Sequence, residues 1–163
     1  MSRWARAAIT RLFPLLVLVR RVYRLTFRPV TVGVRAMIVH EDHLLLVRQH
    51  GRSEWEMPGG AAGRGESLRQ AAVREAREET GVEVVAERLL GMYSAMIDGM
   101  TNHIAVYVCR PARDSRALPP LPLNIEIAEA CYWPLDALPP VSDRHIQRRI
   151  AEYESGGSGF DGT

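Results

Sequence analysis

The sequence predicts a single α/β domain, and three observations point to it. The chain has 163 residues, 47% of them hydrophobic and 25% charged. That is enough apolar material for one core and too much for a disordered chain. Apolar runs over 31–39, 43–49, 82–95, 102–110 and 125–133 read as strands. Between the second and third of them, residues 66–80 contain no Gly or Pro and are rich in Ala, Arg and Glu. They read as a helix with acids at its start, and Gly81 stands just past its expected end. The domain is expected over 30–154, between an N-terminal arm (1–29) and a disordered tail (155–163).

The arm is basic. Residues 1–28 hold seven Arg and no acid, and the rest holds fourteen Arg against nineteen acids. The body is therefore mildly acidic and offers no broad face for nucleic acid. All 21 basic residues are Arg, which excludes Schiff-base and P-loop lysines. Residues 12–19 (LFPLLVLV) are too short to span a bilayer as a helix, which takes about 20 residues. Arg20 and Arg21 follow directly and no small-residue cleavage site appears, which argues against export. Pro14 suits a helix start and Pro29 its end. Between them Leu15, Leu18, Val22 and Leu25 share one face, and Arg20, Arg24 and Arg28 line the other. Such a basic amphipathic helix either makes peripheral contact with an anionic membrane surface through residues 12–28 or packs on its own domain or on a second copy in a homodimer.

In the body, Glu41-Asp42 reads as a hairpin turn between the first two strands. Residues 55–57 are a short apolar stretch before Pro58-Gly59-Gly60. Residues 60–65 (GAAGRG) hold three glycines, so a loop with special backbone needs is expected. The run over 82–95 makes one or two strands, interrupted near Glu87–Arg88. Residues 102–110 alternate His103, Ala105, Tyr107 and Cys109 against Ile104, Val106 and Val108. Residues 111–124 contain four prolines and read as a surface loop. Ser142 is the expected cap of a last helix with Ile146 and Ile150 on one side. Cys109 and Cys131 lack zinc-ligand spacing and are expected to be reduced core thiols of a cytoplasmic protein. His40, His43, His50, His103 and His145 are scattered, without metal-like spacing.

The chemistry concentrates at residues 60–82 (GAAGRGESLRQAAVREAREETGV). At about 100° per residue, Glu78 and Glu79 fall at about −60° and +40° from Glu75. Three carboxylates within one turn repel one another. Arg74, one turn before Glu78, can hold one of them, and the remaining charge calls for a cation. Carboxylate oxygens suit Mg²⁺ or Mn²⁺. Gly59 and Gly60 let the backbone approach a metal or phosphate closely. Metal, phosphate and water together imply hydrolysis of a phosphorus–oxygen bond. The alternative is a solvated acidic face stabilised by Arg69, Arg74 and Arg77.

This stretch resembles the Nudix hydrolase signature: Gly60, five residues, Glu66, seven residues, then Arg74-Glu75-Ala76-x-Glu78-Glu79-x-Gly81-Val82. Every spacing matches, and Ala76 is a small occupant of the aliphatic position. Trp55–Gly60 resembles the usual lead-in, and Glu126 to Leu135 the late strand. The resemblance implies an α/β/α sandwich around a mixed sheet, with the signature forming loop–helix–loop. It implies hydrolysis of a nucleoside diphosphate linked to another group. Glu78, Glu79 and the Gly59 carbonyl would be metal ligands, and Glu75 a ligand or a water-activating base. Arg74 would orient the glutamates. Glu66 would either hold a further metal through water or act as a helix-dipole partner. A distant acid, Glu126 or Glu129, would complete the site; three apart in a strand, they face opposite sides, and Glu126 is preferred. Trp55 and Tyr93 either stack on a base or pack in the core. A non-catalytic nucleotide-binding module is the alternative function, and the full set of signature glutamates favours the enzyme. The loops over 96–102 and 111–124 are expected to help select the substrate.

Overall fold

The structure is a computed structural model that describes residues 31–97, 100–113, 116–121, 126–157 and 159–161. The basic helix expected over 14–28 lies outside the described residues, as does part of each of the two loops. Among the described residues, no helix is long and apolar enough to cross a membrane.

Strands β1 (Thr31–His40) and β2 (His43–Gln49) form the expected hairpin. Glu41 turns it with φ 52°. The short β3 (Trp55–Glu56) pairs with β2 and leads into the glycine loop and helix α1 (Leu68–Thr80). Strands β4 (Val84–Ile97) and β5 (Met100–Pro111) pair antiparallel, and β6 (Ile127–Pro134) pairs antiparallel with β2. Helix α2 (Ile146–Glu154) and strand β7 (Gly159–Asp161) close the chain. The strand order is β3-β2-β1-β5-β4-β7, with β6 beside β2. Because β1 and β5 run parallel, the sheet is mixed.

Strand alternation sorts the core into two layers. Val34, Ala36 and Ile38 face α1, which presents the small side chains of Ala71, Ala72 and Ala76 and so lies close to the sheet. Met37 and Val39 face the other way, toward Ile146 and Ile150 of α2. The result is the expected α/β/α sandwich.

The interruption expected within 82–95 is present, and the structure departs from the sequence expectations at four other places. The interruption near Glu87 is a bulge inside one strand, where the register shifts between Ala86 and Arg88. Helix α1 begins at Leu68 rather than Glu66, because Ser67 and Gln70 form a capping box. Ser142 does not cap α2: it bridges to Trp55 instead. The turn into α2 is made by Asp143, whose carboxylate accepts the His145 N–H and whose carbonyl accepts the Ile146 N–H. The tail was expected to be disordered, yet Gly159–Asp161 pairs in parallel with Gly91–Tyr93. Strand pairing needs only backbone groups, so a glycine-rich segment can add to an open sheet edge. Cys109 is buried, but Cys131 is exposed on β6 and is no core thiol.

The cap makes a simple test of this layout. Ser67→Ala removes the hydroxyl that accepts the Gln70 N–H. It should cost about 1 kcal/mol in denaturant unfolding, the usual size of a lost N-cap.

Candidate active site

The glycine loop is threaded between β1 and α1 by its own backbone. The Pro58 and Gly60 carbonyls accept the Ala36 and Val34 N–H groups, each at 2.8 Å. Alternation along an extended backbone then turns the N–H and C=O of Gly59 to the opposite side. There the Gly59 N–H donates to Glu79 Oε2 at 3.0 Å. No larger residue fits. A Cβ at Gly59 would sit 2.1 Å from the Val34 carbonyl oxygen, and one at Gly60 would sit 2.5 Å from Glu75 Oε1.

Arg74 is the hub of the helix face. Its Nε and Nη2 donate to the two Glu66 oxygens at 2.8 and 2.9 Å. Its Nη1 donates to Glu75 Oε1 at 2.8 Å and to Glu78 Oε2 at 2.9 Å. Nη2 also reaches the Ala61 carbonyl at 3.0 Å, tying helix to loop. The guanidinium, with the Gly63 N–H, holds the Glu66 carboxyl down to about 2. The other two arginines of the alternative reading point elsewhere. Arg69 donates to the Ala86 carbonyl, and Arg77 faces Glu83 at 3.8 Å.

Glu79 stands apart from this network. It is 6% exposed, and among the described residues its hydrogen bond is the one from Gly59. Burial pushes its carboxyl up to about 7, against the Gly59 bond and the Arg35 charge; Glu75 and Glu126 add to the rise.

A loop, a capped helix and an arginine hub thus gather Gly60, Glu66, Arg74, Glu75, Glu78 and Glu79, with Gly81 ending the helix at φ 72°. A model of the NUDIX domain matches residues 28–153. The chain belongs to the Nudix family. Curated relatives of this Nudix chain include an ADP-ribose pyrophosphatase of Methanocaldococcus jannaschii, 36% identical over 85 residues, half of each chain. A CTP pyrophosphohydrolase of Escherichia coli is 33% identical over 75 residues, 44% of this chain and 56% of that one. The chain spans about half the length of the curated relatives it matches. Among solved structures, a UDP-X diphosphatase superposes with TM-score 0.70 at 24% identity, covering 96% of this chain and 83% of that one. A Nudix hydrolase from Nitrosomonas europaea gives TM-score 0.68 at 26% identity, covering 80% and 92%.

The remaining candidates divide. Glu126 precedes β6, and its carboxylate acts on Glu79 and accepts from Gln49 Nε2 at 3.2 Å. Glu129, on β6, is bound to Arg48 at 2.6 Å. Trp55 and Tyr93 both pack in the α2 layer. Trp55 meets Trp133 edge-on, with ring centroids 5.6 Å apart, and Arg48 lies over its ring. Tyr93 lies under the Arg149 guanidinium at 3.3 Å and donates to Glu152. Each ring therefore has packing partners.

One residue escaped the sequence analysis. Arg35 lies 24 positions before Gly59, yet its side chain runs along the loop. It donates to the Met57 carbonyl at 2.8 Å and to Glu56 Oε2 at 2.6 Å. The only signal for it was an arginine in an otherwise apolar strand.

Proposed function

We propose that this Nudix domain is a Mg²⁺- or Mn²⁺-dependent hydrolase that cleaves the pyrophosphate linkage of a nucleoside diphosphate joined to another group. One observation carries the proposal: Glu79 is a buried carboxylate with no ion pair among the described residues. A buried charge without a partner is costly, and a bound cation relieves that cost. The named activities of the pyrophosphatase and pyrophosphohydrolase relatives agree with this chemistry.

The donors fit a hard cation. Glu75, Glu78, Glu79 and the Gly59 carbonyl offer oxygen only, as Mg²⁺ and Mn²⁺ prefer. Among the described residues no three acids converge on one point as they stand. Arg74 holds Glu75 and Glu78, and Gly59 holds Glu79. Glu75 and Glu78 share one helix face with Glu79, and turning off Arg74 would present them to the same cation.

Glu78, Glu79 and the Gly59 carbonyl are the main ligands in this reading, and Glu126 completes the set because its charge already reaches Glu79. Bound metal would neutralise the diphosphate oxygens and lower the pKa of an attacking water. Glu75, against Gly60 and Arg74, is either a further ligand or the acceptor of that water's proton. Glu66 keeps Arg74 in place, since both its oxygens are engaged there. Water adds to one phosphorus and the bridging oxygen leaves, giving a nucleoside monophosphate and a phosphorylated remainder.

The test is a panel of nucleoside triphosphates, nucleotide sugars, ADP-ribose, dinucleoside polyphosphates and CDP-alcohols, run with Mg²⁺ and with Mn²⁺. At least one diphosphate should be cleaved only when metal is present. Binding of a panel nucleotide without any turnover would replace the hydrolase by a binding module.

A further inference from the structure

On the far side of Gly59 from Glu79 lies a cleft of about 200 Å³, walled by the glycine loop and the parallel pair β1–β5. Its lining includes Thr31, Gly33, Arg35, Asn102 and Ile104. Register explains the grouping. Thr31 pairs with Asn102 and Gly33 with Ile104, and partners in a parallel pair share a face. Thr31, Gly33 and Arg35, two apart along β1, share that face. Gly33 leaves the middle of the floor without a side chain.

Arg35 closes one end. Its two bonds to Met57 and Glu56 fix the plane of the guanidinium. They use two of its five N–H donors, and its side chain remains 26% exposed. An anchored guanidinium with open donors matches phosphate geometry. Its charge also reaches Glu79. Arg35 and the glutamates therefore flank the same glycine from two sides. Two adjacent phosphates can bridge them, one over the glutamates and one on Arg35. A side chain at position 59 would block that path. Thr31 donates to Asn102 at the other end of the cleft, giving it a polar end. A cleft this size is below the roughly 300–1,000 Å³ of sites that enclose a whole drug-sized ligand. It suits one sugar or one base.

We propose that Arg35 is a substrate-binding residue that holds the phosphate the metals do not. The cleft over Gly33, between Arg35 and the Thr31–Asn102 pair, takes the sugar or base attached to that phosphate. The inference rests on the proposed diphosphate hydrolysis and names the second half of the same substrate. It also sets the specificity: both phosphates of the diphosphate are read, one by carboxylate-held charge and one by arginine.

The test separates binding from bracing. Arg35→Gln removes the phosphate contact and also leaves Glu56 without its partner, so it lowers the melting temperature. Arg35→Gln/Glu56→Gln removes that stranded carboxylate and recovers the melting temperature. In both variants KM for the best panel substrate should rise ten- to a hundredfold, the scale of a lost charge-assisted pair. The thermal shift given by Mn²⁺ alone should stay as in the wild type. Arg35→Lys should restore part of the affinity, as a point charge without the fork. If KM in the double variant returns to within threefold of wild type, or KM never changes, Arg35 is only a brace and the proposal falls. Loss of the Mn²⁺ shift in Arg35→Gln overturns it too. Should the wild type cleave nothing on the panel, the hydrolase proposal fails separately. Thermal stabilisation by nucleoside diphosphates, present in wild type and absent in Arg35→Gln, then still upholds the Arg35 site. No stabilisation in either ends both.

Discussion

Glu79→Gln should lower turnover at least roughly a hundredfold, the scale of losing one charge-stabilising group at a reacting centre. It should do so without weakening the fold. The amide keeps the shape of the side chain and can still accept the Gly59 N–H, while the buried charge disappears. The sign with pH follows from linkage. In the unfolded chain Glu79 titrates near 4.5, and in the fold near 7 because it is buried. The folded state therefore holds the proton more tightly. Below about 4.5 the wild type suffers no penalty. Between 4.5 and 7 the penalty of ionising grows, and above 7 it is complete. Metal-free Glu79→Gln should match the wild type near pH 4 and exceed it near pH 8, by up to roughly 3 kcal/mol. The stabilisation given by Mn²⁺ should shrink in the variant, because less metal binds the folded state. Turnover within a few-fold of wild type, or an unchanged Mn²⁺ shift, would remove Glu79 from the metal site. The same substitution at Glu78 should lower turnover similarly. Its stability should change little, because Glu78 is half-exposed on Arg74.

The helix and its acids were legible because their signals are local. A run without Gly or Pro, a glycine one residue beyond it, and three carboxylates on one arc need no tertiary knowledge. The exact start was not legible: a Ser–Gln capping box prevails over the acidic first turn expected at Glu66. Helix spacing pointed to one glutamate on Arg74 and the resemblance to several; it holds three, and Glu66 is among them because it lies outside the helix and folds back onto it. The face argument for Glu126 and Glu129 assumed that both lie in a strand. Glu126 precedes β6, so what separates the two is their partners rather than strand alternation. Ser142 failed as a cap because its backbone is drawn into a bridge with Trp55. The tail strand escaped notice because parallel pairing at an edge depends on backbone groups, which leave no pattern in side chains. Arg35 is the extreme case. Only the crossing of the loop from β3 to β1 brings it beside Gly59, and no spacing in the sequence encodes that crossing.

Gly59→Ala and Gly60→Ala should fail in different ways, although the two glycines are neighbours. At Gly59 the new methyl would lie 2.1 Å from a backbone oxygen, that of Val34. Backbone cannot step aside cheaply, so the loop must leave β1. That movement strains the bonds from Ala36 to Pro58 and from Val34 to Gly60. It also carries the Gly59 N–H away from Glu79. The expected cost is about 1–3 kcal/mol of stability, as for other overpacked sites. Turnover should drop at least roughly a hundredfold, since the loop carbonyl and Glu79 shift together. At Gly60 the obstacle is the end of a side chain, Glu75 Oε1 at 2.5 Å. Glu75 can rotate away from the methyl, so the melting temperature should fall little. Its carboxylate then leaves Arg74 and the metal-facing arc, and turnover should fall more than tenfold. Denaturant unfolding and steady-state kinetics on the two variants separate the cases. A Gly59→Ala protein with wild-type stability would mean that the loop does not lie against β1 as closely as these contacts require. A Gly60→Ala protein with wild-type turnover would remove Glu75 from the reaction, because its carboxylate cannot stay where it is once that methyl is present.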